Sequence, residues 1–491
     1  MSGQTMTNFL LKRVSLTPER TAIVFQGQAI TFKELYEKAY TAAGKCTAAG
    51  MKQGDFTAVL LSNHLDTVVL LFACQLLGVK TVLLNSRLQA KELIWQIKDS
   101  RVEYLLTDHS YCDTAAEMAQ NGEDVRILIK EQLNDVPFTQ PLIAKQVELD
   151  DLCSVMYTSG TSGYPKGVLQ TYGNHWWSAV GSALNLGLSK DDCWLCAVPL
   201  FHISGFSILM RSVIYGIPLL LHERFSEEDA ICAILKENVT IISVVSTMLM
   251  RIVDTLGDKK LPASFRCMLL GGGPAPVPLL QECVKKNIPV FQTYGMTETA
   301  SQFATLTPEY ALTKLGSAGK PFFASSLKIV DDNGEEGMPG QIGEIMLKGP
   351  NVTKGYLYRP EETAKAIHNG WLATGDIGYV DKDGFLYVLD RRTDLIISGG
   401  ENIYPAEIEG ILTAHHAVCD AGVIGVEDEK WGQKPVAFIV KKQEVSEEEL
   451  MHHCMNHLAK FKVPKQFFFL AKLPRNGAKK LVRRKLRNLI R

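Results

Sequence analysis

Three things are scarce in this sequence, and each scarcity closes a class of function. Net charge is almost nil, 52 basic residues against 53 acidic for −1, so the whole molecule lacks the positive field of a nucleic-acid binder. No apolar run is long enough to cross a bilayer: Val68 to Val79 spans about 12 residues and contains Gln75, against the roughly 20 required. The eleven cysteines, from Cys46 to Cys454, follow no repeating frame and no secretory leader. That pattern fits reduced thiols in a cytoplasm better than a disulfide scaffold. Internal repeats and low-complexity tracts are missing as well. What remains is a chain of 491 residues, more than one hydrophobic core usually serves. Its expected partners are small molecules, with no nucleic acid, no membrane insertion, and the question of a homo-oligomer left open. Met6 offers a second start, so residues 1–5 carry no functional weight in this reading.

Apolar, β-branched runs (Thr57–Leu61, Thr81–Leu84, Thr240–Val245) alternate with helix-like stretches (Ala90–Asp99, Glu227–Lys236). The alternation predicts an α/β fold, parallel-rich sheets flanked by helices. Past about residue 320 the texture changes. Turn clusters around Asp331, Met338 and Asp381 punctuate short strands, predicting a β-rich subdomain over about 320–390. The charged segment Asp390, Arg391, Arg392, Thr393, Asp394 is the expected joint between an N-terminal domain, 1–391, and a small mobile α+β domain, 392–491. The tail Ala471–Arg491 holds nine Lys or Arg and no acid.

Tyr157 to Lys166 supplies two glycines, four aliphatic hydroxyls and a lysine within ten residues, directly after a strand-like run. Backbone N–H groups and hydroxyls in such a loop can face phosphate oxygens while Lys166 supplies charge. It is not a Walker A loop. Pro165 stands where that motif requires glycine, and Gly167 replaces the Ser or Thr that holds magnesium.

Six segments in order carry a resemblance to the adenylate-forming superfamily of acyl-CoA synthetases, adenylation domains and luciferases: Thr158–Val168, Pro199–His202, Leu270–Pro276, Thr293–Thr299, Gly370–Asp376, and Asp390–Arg391 through Gly399–Pro405. The resemblance spans essentially the whole chain. It implies an ATP site built from Ser159, Gly160, Thr161, Ser162, Gly163 and Lys166 of the loop, with Gly272, Gly273 and Pro274 of the glycine run. Gln292, Thr293, Tyr294, Gly295, Met296 and Thr297 would complete it, Tyr294 stacking on adenine and Gln292 reaching the base edge. Asp376 would accept both ribose hydroxyls, with Arg391 as its companion. Thr158, Glu298 and Lys480 form the expected catalytic set, Glu298 also being an oxygen ligand for the magnesium that accompanies ATP.

Lys480 matches the family lysine that bridges carboxylate and α-phosphate, although Lys479 stands where a glycine usually precedes it. Two anions at ~4 Å repel by about 4 kcal/mol at an effective dielectric of ~20, so a cation between them lowers the barrier. His202, Arg211, Ser246, Gly271, Gly295 and Ser301 are expected around the acyl group, and Ser398, Gly399, Gly400 and Glu401 along a coenzyme A channel. The wording Tyr172–Gly187, with Thr299–Gln302, is similar to the branch of the family that joins 2-succinylbenzoate to coenzyme A in menaquinone biosynthesis. Arg211 suits a second carboxylate on such a substrate. Ligation of another aromatic or fatty acid, or loading of a carrier-protein thiol, is the rival reading. Cys193 and Cys196 read as a buried strand, and His453 and His457 as a solvated helix face, not as metal sites.

Overall fold

The computed structural model describes residues 3–121, 125–159, 165–272, 277–331, 334–390, 395–474, 481 and 483–490. The apolar runs form strands Phe56–Leu60, Lys80–Leu83 and Ile241–Val245, and the amphipathic stretches form helices Ala90–Ser100 and Glu227–Lys236. Local chemistry sets the helix starts. Thr31 and Glu34 close a capping box ahead of helix Phe32–Ala48, and Ser226 caps Glu227–Lys236 through the Asp229 amide. Thr5, discounted in the sequence reading, belongs to strand Thr5–Thr7, which pairs with Gln146–Glu148.

Two large sheets dominate. One runs in the order Pro165–Thr171, Leu152–Ser159, Lys80–Leu83, Phe56–Leu60, Tyr104–Thr107, Arg126–Ile129, parallel except for the first pair, which is an antiparallel hairpin. The other is parallel at its centre and antiparallel at both edges. Helix Leu65–Leu77 is buried from Thr67 onward, as an apolar helix covered on several sides must be. It shares one core with residues of both sheets, among them Val59, Met156, Trp194 and Leu219. Cys193 and Cys196 are buried at strand Trp194–Cys196, as the sequence implies.

In the second sheet, strand Trp194–Cys196 pairs with Leu219–Leu221 on one side and Ile241–Val245 on the other. The chain thus reverses its direction of winding there. Crevices at the carboxyl ends of parallel strands beside such a switch are where α/β sheets bind ligands.

Residues 326–390 form a further antiparallel sheet from Ser326–Val330, Gly343–Lys348, Ile367–His368, Trp371–Val380 and Leu386–Asp390. Among the described residues, the C-terminal sheet draws its strands from Ile396–Ser398, Glu401–Ile403, Val418–Asp428, Gly432–Lys441 and Phe467–Phe469. Its cores, around Ile408, Val423 and Phe467 and around Phe438 and Leu486, contain among the described residues none from before Ile396. His453 departs from the solvated reading. Its helix, Glu447–Met455, packs beside Pro405–Thr413, so its Nε2 lies 3.0 Å from the Ile411 carbonyl and its ring 4.9 Å from that of His415.

Candidate active site

A cavity of about 860 Å³ opens at the carboxyl ends of the second sheet's strands, where Val198, Val245, Gly271 and Met296 follow or end their strands. It also takes in the hairpin, the sheet of residues 326–390 and the first turn of the C-terminal region. Thr158, Lys166, His202, Gly271, Gly272, Thr293, Gly295, Met296, Thr297, Glu298, Ser301, Asp376 and Gly400 all line it. Residues nearly 250 apart in sequence therefore face one space.

At one end, Thr158 and Lys166 are cross-strand partners on the arms of the hairpin. Gly160, Thr161, Ser162 and Gly163 lie outside the described residues, as does the Ser159 side chain. The Lys166 ammonium sits over the Tyr356 ring, 5.2 Å from its centroid, and the Tyr356 hydroxyl donates to Glu298 Oε1 at 3.2 Å. One tyrosine thus touches both the cation and the carboxylate expected around the phosphates. Sequence reasoning missed it, because nothing in Gly355–Tyr356–Leu357 marks a side chain that faces Glu298. The Glu298 carboxylate is nearly buried and borders the cavity. One protein carboxylate at a cavity that Thr158 also lines suits magnesium, which takes few protein ligands and completes its shell with phosphate oxygens and water.

Asp376 is buried at the cavity wall on strand Trp371–Val380. Tyr294 differs from its expected role as a stacking face. Its ring packs in a core with Phe303, Ile345 and Leu386, and its hydroxyl donates to Asp376 Oδ2 at 2.7 Å. It orients the carboxylate instead of lining the cavity. Gln292 lies on the same strand, also off the lining. Gly273, Pro274 and Arg391 lie outside the described residues.

His202 precedes helix Ile203–Tyr215 and borders the cavity with Ser301 and Gln302. Ser246 begins helix Ser246–Leu256, one residue beyond the wall at Val245. Arg211 stands behind the wall rather than on it. It is 1 % exposed, its Nη2 donates to Ser178 Oγ at 3.2 Å, and its guanidinium lies 5.4 Å from the centre of the Trp194 ring. Ser178 Oγ in turn donates to the carbonyl of Ala300, the neighbour of Ser301. Among the described residues no carboxylate pairs with Arg211, and its Nε has no hydrogen-bond partner. Burial lowers its pKa and, with Arg211 adding to the effect, pushes His175 down to about 3. Both amide atoms of Gln302 are also buried without partners. A buried polar pocket with several unpartnered atoms, donor and acceptor alike, thus backs the acyl end.

The C-terminal region closes the cavity. Gly399 and Gly400 turn with φ +58° and +86°, and a Cβ on Gly399 would come within 2.8 Å of the Trp431 ring. The left-handed backbone and the close approach both require glycine. The turn places Glu401 against the N-terminal region. Arg87 Nη1 and Asn85 Nδ2 donate to it, and His202 Nε2 lies 3.4 Å away. Burial opposes its ionisation, yet His202 and Arg87 outweigh that and hold its pKa down at about 2. Ser398 is buried at the end of strand Ile396–Ser398 and, with Gly399 and Glu401, stands off the lining. Lys480 lies outside the described residues.

Two family descriptions match the chain: AMP-binding enzyme over residues 10–357 and AMP-binding enzyme C-terminal domain over 407–480. The 2-succinylbenzoate–CoA ligase of Geobacillus sp. strain WCH70 is 53% identical over 486 residues, 98% of this chain and 97% of that one. Among solved structures, a double mutant of o-succinylbenzoate CoA synthetase (MenE) from Bacillus subtilis, bound with its product analogue OSB-NCoA, is 49% identical. It aligns with a TM-score of 0.95 over 99% of both chains. The same enzyme with the acyl-adenylate intermediate OSB-AMP (98% of each chain), or with ATP and magnesium (99% of this chain, 100% of that one), is again 49% identical and scores 0.78. Matched over most of its length and lined by the residues its motifs single out, the chain belongs to the AMP-binding enzyme family.

Proposed function

We propose that this enzyme joins 2-succinylbenzoate to coenzyme A through an acyl adenylate, releasing pyrophosphate and then AMP, as a step of menaquinone biosynthesis. The observation that carries the substrate is the polar pocket behind the acyl end. Arg211, buried behind the wall with no carboxylate partner among the described residues, lends the acyl end a positive potential that the second carboxylate of an aromatic dicarboxylate answers from within the cavity. A fatty acid carries no such second charge. The relatives named above act on or bind the same acid.

In the first half-reaction a carboxylate oxygen attacks the α-phosphorus of ATP and pyrophosphate departs. Thr158 and Lys166 hold the phosphate chain, Asp376, oriented by Tyr294, accepts the ribose hydroxyls, and Lys480 is assigned the cation between the two reacting anions. Magnesium, when bound at Glu298, adds neutralisation of phosphate charge. In the second half-reaction the sulfur of coenzyme A attacks the acyl carbon and AMP leaves with the bonding electron pair. The Gly399–Gly400 turn shapes the approach, and His202, held by Glu401, borders the acyl carbon's space. We assign residues 1–391 and 392–491 as the two domains, and a cytoplasmic location on the ground that all eleven cysteines are free thiols.

The test is pyrophosphate release measured over a panel of carboxylic acids, with and without coenzyme A. 2-Succinylbenzoate is expected to exceed benzoate and medium-chain fatty acids by about a hundredfold or more in kcat/KM. A preference for a fatty acid sinks the substrate assignment. A thioester formed only on a carrier protein sinks the acceptor assignment.

A further inference from the structure

Away from the cavity, three charged side chains meet between the N-terminal and C-terminal regions. Lys462 Nζ donates to Glu92 Oε1 at 2.6 Å and to Glu407 Oε1 at 2.7 Å, and Lys462 is only 5 % exposed. Glu92 lies in the first turn of helix Ala90–Ser100, and the other two belong to the C-terminal region. The second oxygen of Glu92 accepts from two backbone amides, Gln89 N of its own capping box at 3.0 Å and Ala459 N of the opposite region at 3.1 Å. Beside it, Lys91 Nζ donates to the Asn456 carbonyl at 3.3 Å. None of these residues lines the cavity.

The contact is built so that each side stays satisfied alone. Without the C-terminal region, Glu92 still caps its own helix through Gln89 N. Without Glu92, Lys462 still pairs with Glu407 inside its own region. An apolar seam of equal size would expose hydrophobic surface on parting, whereas these groups return to water or to a local partner. The charge count fits as well. Two carboxylates share one ammonium, burial and the neighbouring Glu92 raise the Glu407 pKa against the pull of Lys462, and Glu407 Oε2 is buried without a partner. A proton on that carboxyl leaves one cation facing one anion across the seam.

The solved relatives add an independent observation. One enzyme, at 49% identity throughout, scores 0.95 in its product-analogue complex and 0.78 in its acyl-adenylate and ATP complexes. With sequence and coverage so nearly equal, these structures differ in arrangement rather than fold. The arrangement in which this chain brings Glu92 to Lys462 is the one that aligns at 0.95 with the product-analogue complex.

We propose that Glu92 and Lys462 form a latch holding the C-terminal region in the thioester-forming arrangement. Glu92 is then a positioning residue for the second half-reaction that plays no part in the first. The inference rests on the two-step reading above.

Glu92→Gln tests it. The glutamine keeps an acceptor for both amides but loses the charge that faces Lys462. Two single-turnover rates are read, pyrophosphate release from ATP and 2-succinylbenzoate without coenzyme A, and thioester formation when coenzyme A is added to preformed acyl adenylate. The second is expected to fall about tenfold or more while the first stays within about twofold, with thermal unfolding unchanged. Lys462→Met is expected to give the same split, and Lys462→Arg to recover part of the second rate. Unchanged rates in both steps, equal losses in both, or a loss confined to the first each overturn the latch. Failure of the unmodified enzyme to make thioester from adenylate overturns the two-step reading instead, so the two failures are distinguishable.

Discussion

The two sides of the cavity are built by different physics. The N-terminal side rests on buried parallel strands and a helix packed into the core they share, so Gly271, Thr293 and Met296 are fixed by burial that separates only on unfolding. The C-terminal side has its own cores and meets the other region through Glu401 with Arg87 and His202, and Lys462 with Glu92. Apolar burial makes a permanent wall, while ion pairs at a seam can be broken and remade. The comparison teaches which residues serve both half-reactions and which serve one.

The sharpest break comes from Lys480→Ala. Adenylation is expected to slow about a thousandfold or more, while thioester formation from supplied acyl adenylate largely survives, read as two single-turnover rates. Equal losses would remove Lys480 from the first step. Glu401→Gln probes the opposite half. It weakens a buried ionic contact at the seam, so thioester formation should drop about ten- to a hundredfold with pyrophosphate release nearly intact. Arg211→Ala lies on the permanent side and should not distinguish the two steps. It should raise KM for 2-succinylbenzoate about tenfold or more yet leave a monocarboxylate such as benzoate unaffected, and identical effects on both acids would place Arg211 outside substrate recognition. Tyr356→Phe is the mildest. Losing one hydroxyl to Glu298 should raise the magnesium concentration for half-maximal adenylation several-fold, with the ring still beneath Lys166.

Much of the permanent side was legible in the sequence. β-Branched runs gave the strands to within a residue or two, and Thr158, Lys166, Glu298 and Asp376, each singled out by a motif, line one cavity. Two side chains were misplaced. Tyr294 turns its ring into a core because its hydroxyl finds Asp376, and Arg211 sits behind the wall because its helix packs that face inward. Neither direction is encoded in a motif, since burial of one helix face depends on what the remote chain packs against it. The seam was wholly illegible. Arg87 and Glu401 are 314 positions apart and Glu92 and Lys462 are 370 apart, with no periodicity linking them. Single surface-type charges read as solvated until the fold brings their partners.

A last consequence follows from the bare Gly400. Its backbone faces Val245, where a Cβ would meet Cγ2 at 3.5 Å, an ordinary contact, so the left-handed φ of +86° rather than crowding favours glycine there. An acyl phosphate anhydride is open to attack by water, present at about 55 M in bulk, so any gap beside the acyl carbon wastes one ATP per leak. A side chain at Gly400 would enter the cavity this residue lines, so Gly400→Ala is expected to change the share of acyl adenylate lost to water before thioester forms. The measurement that checks it is the yield of thioester per nucleotide consumed, a quantity that turnover rate alone does not report.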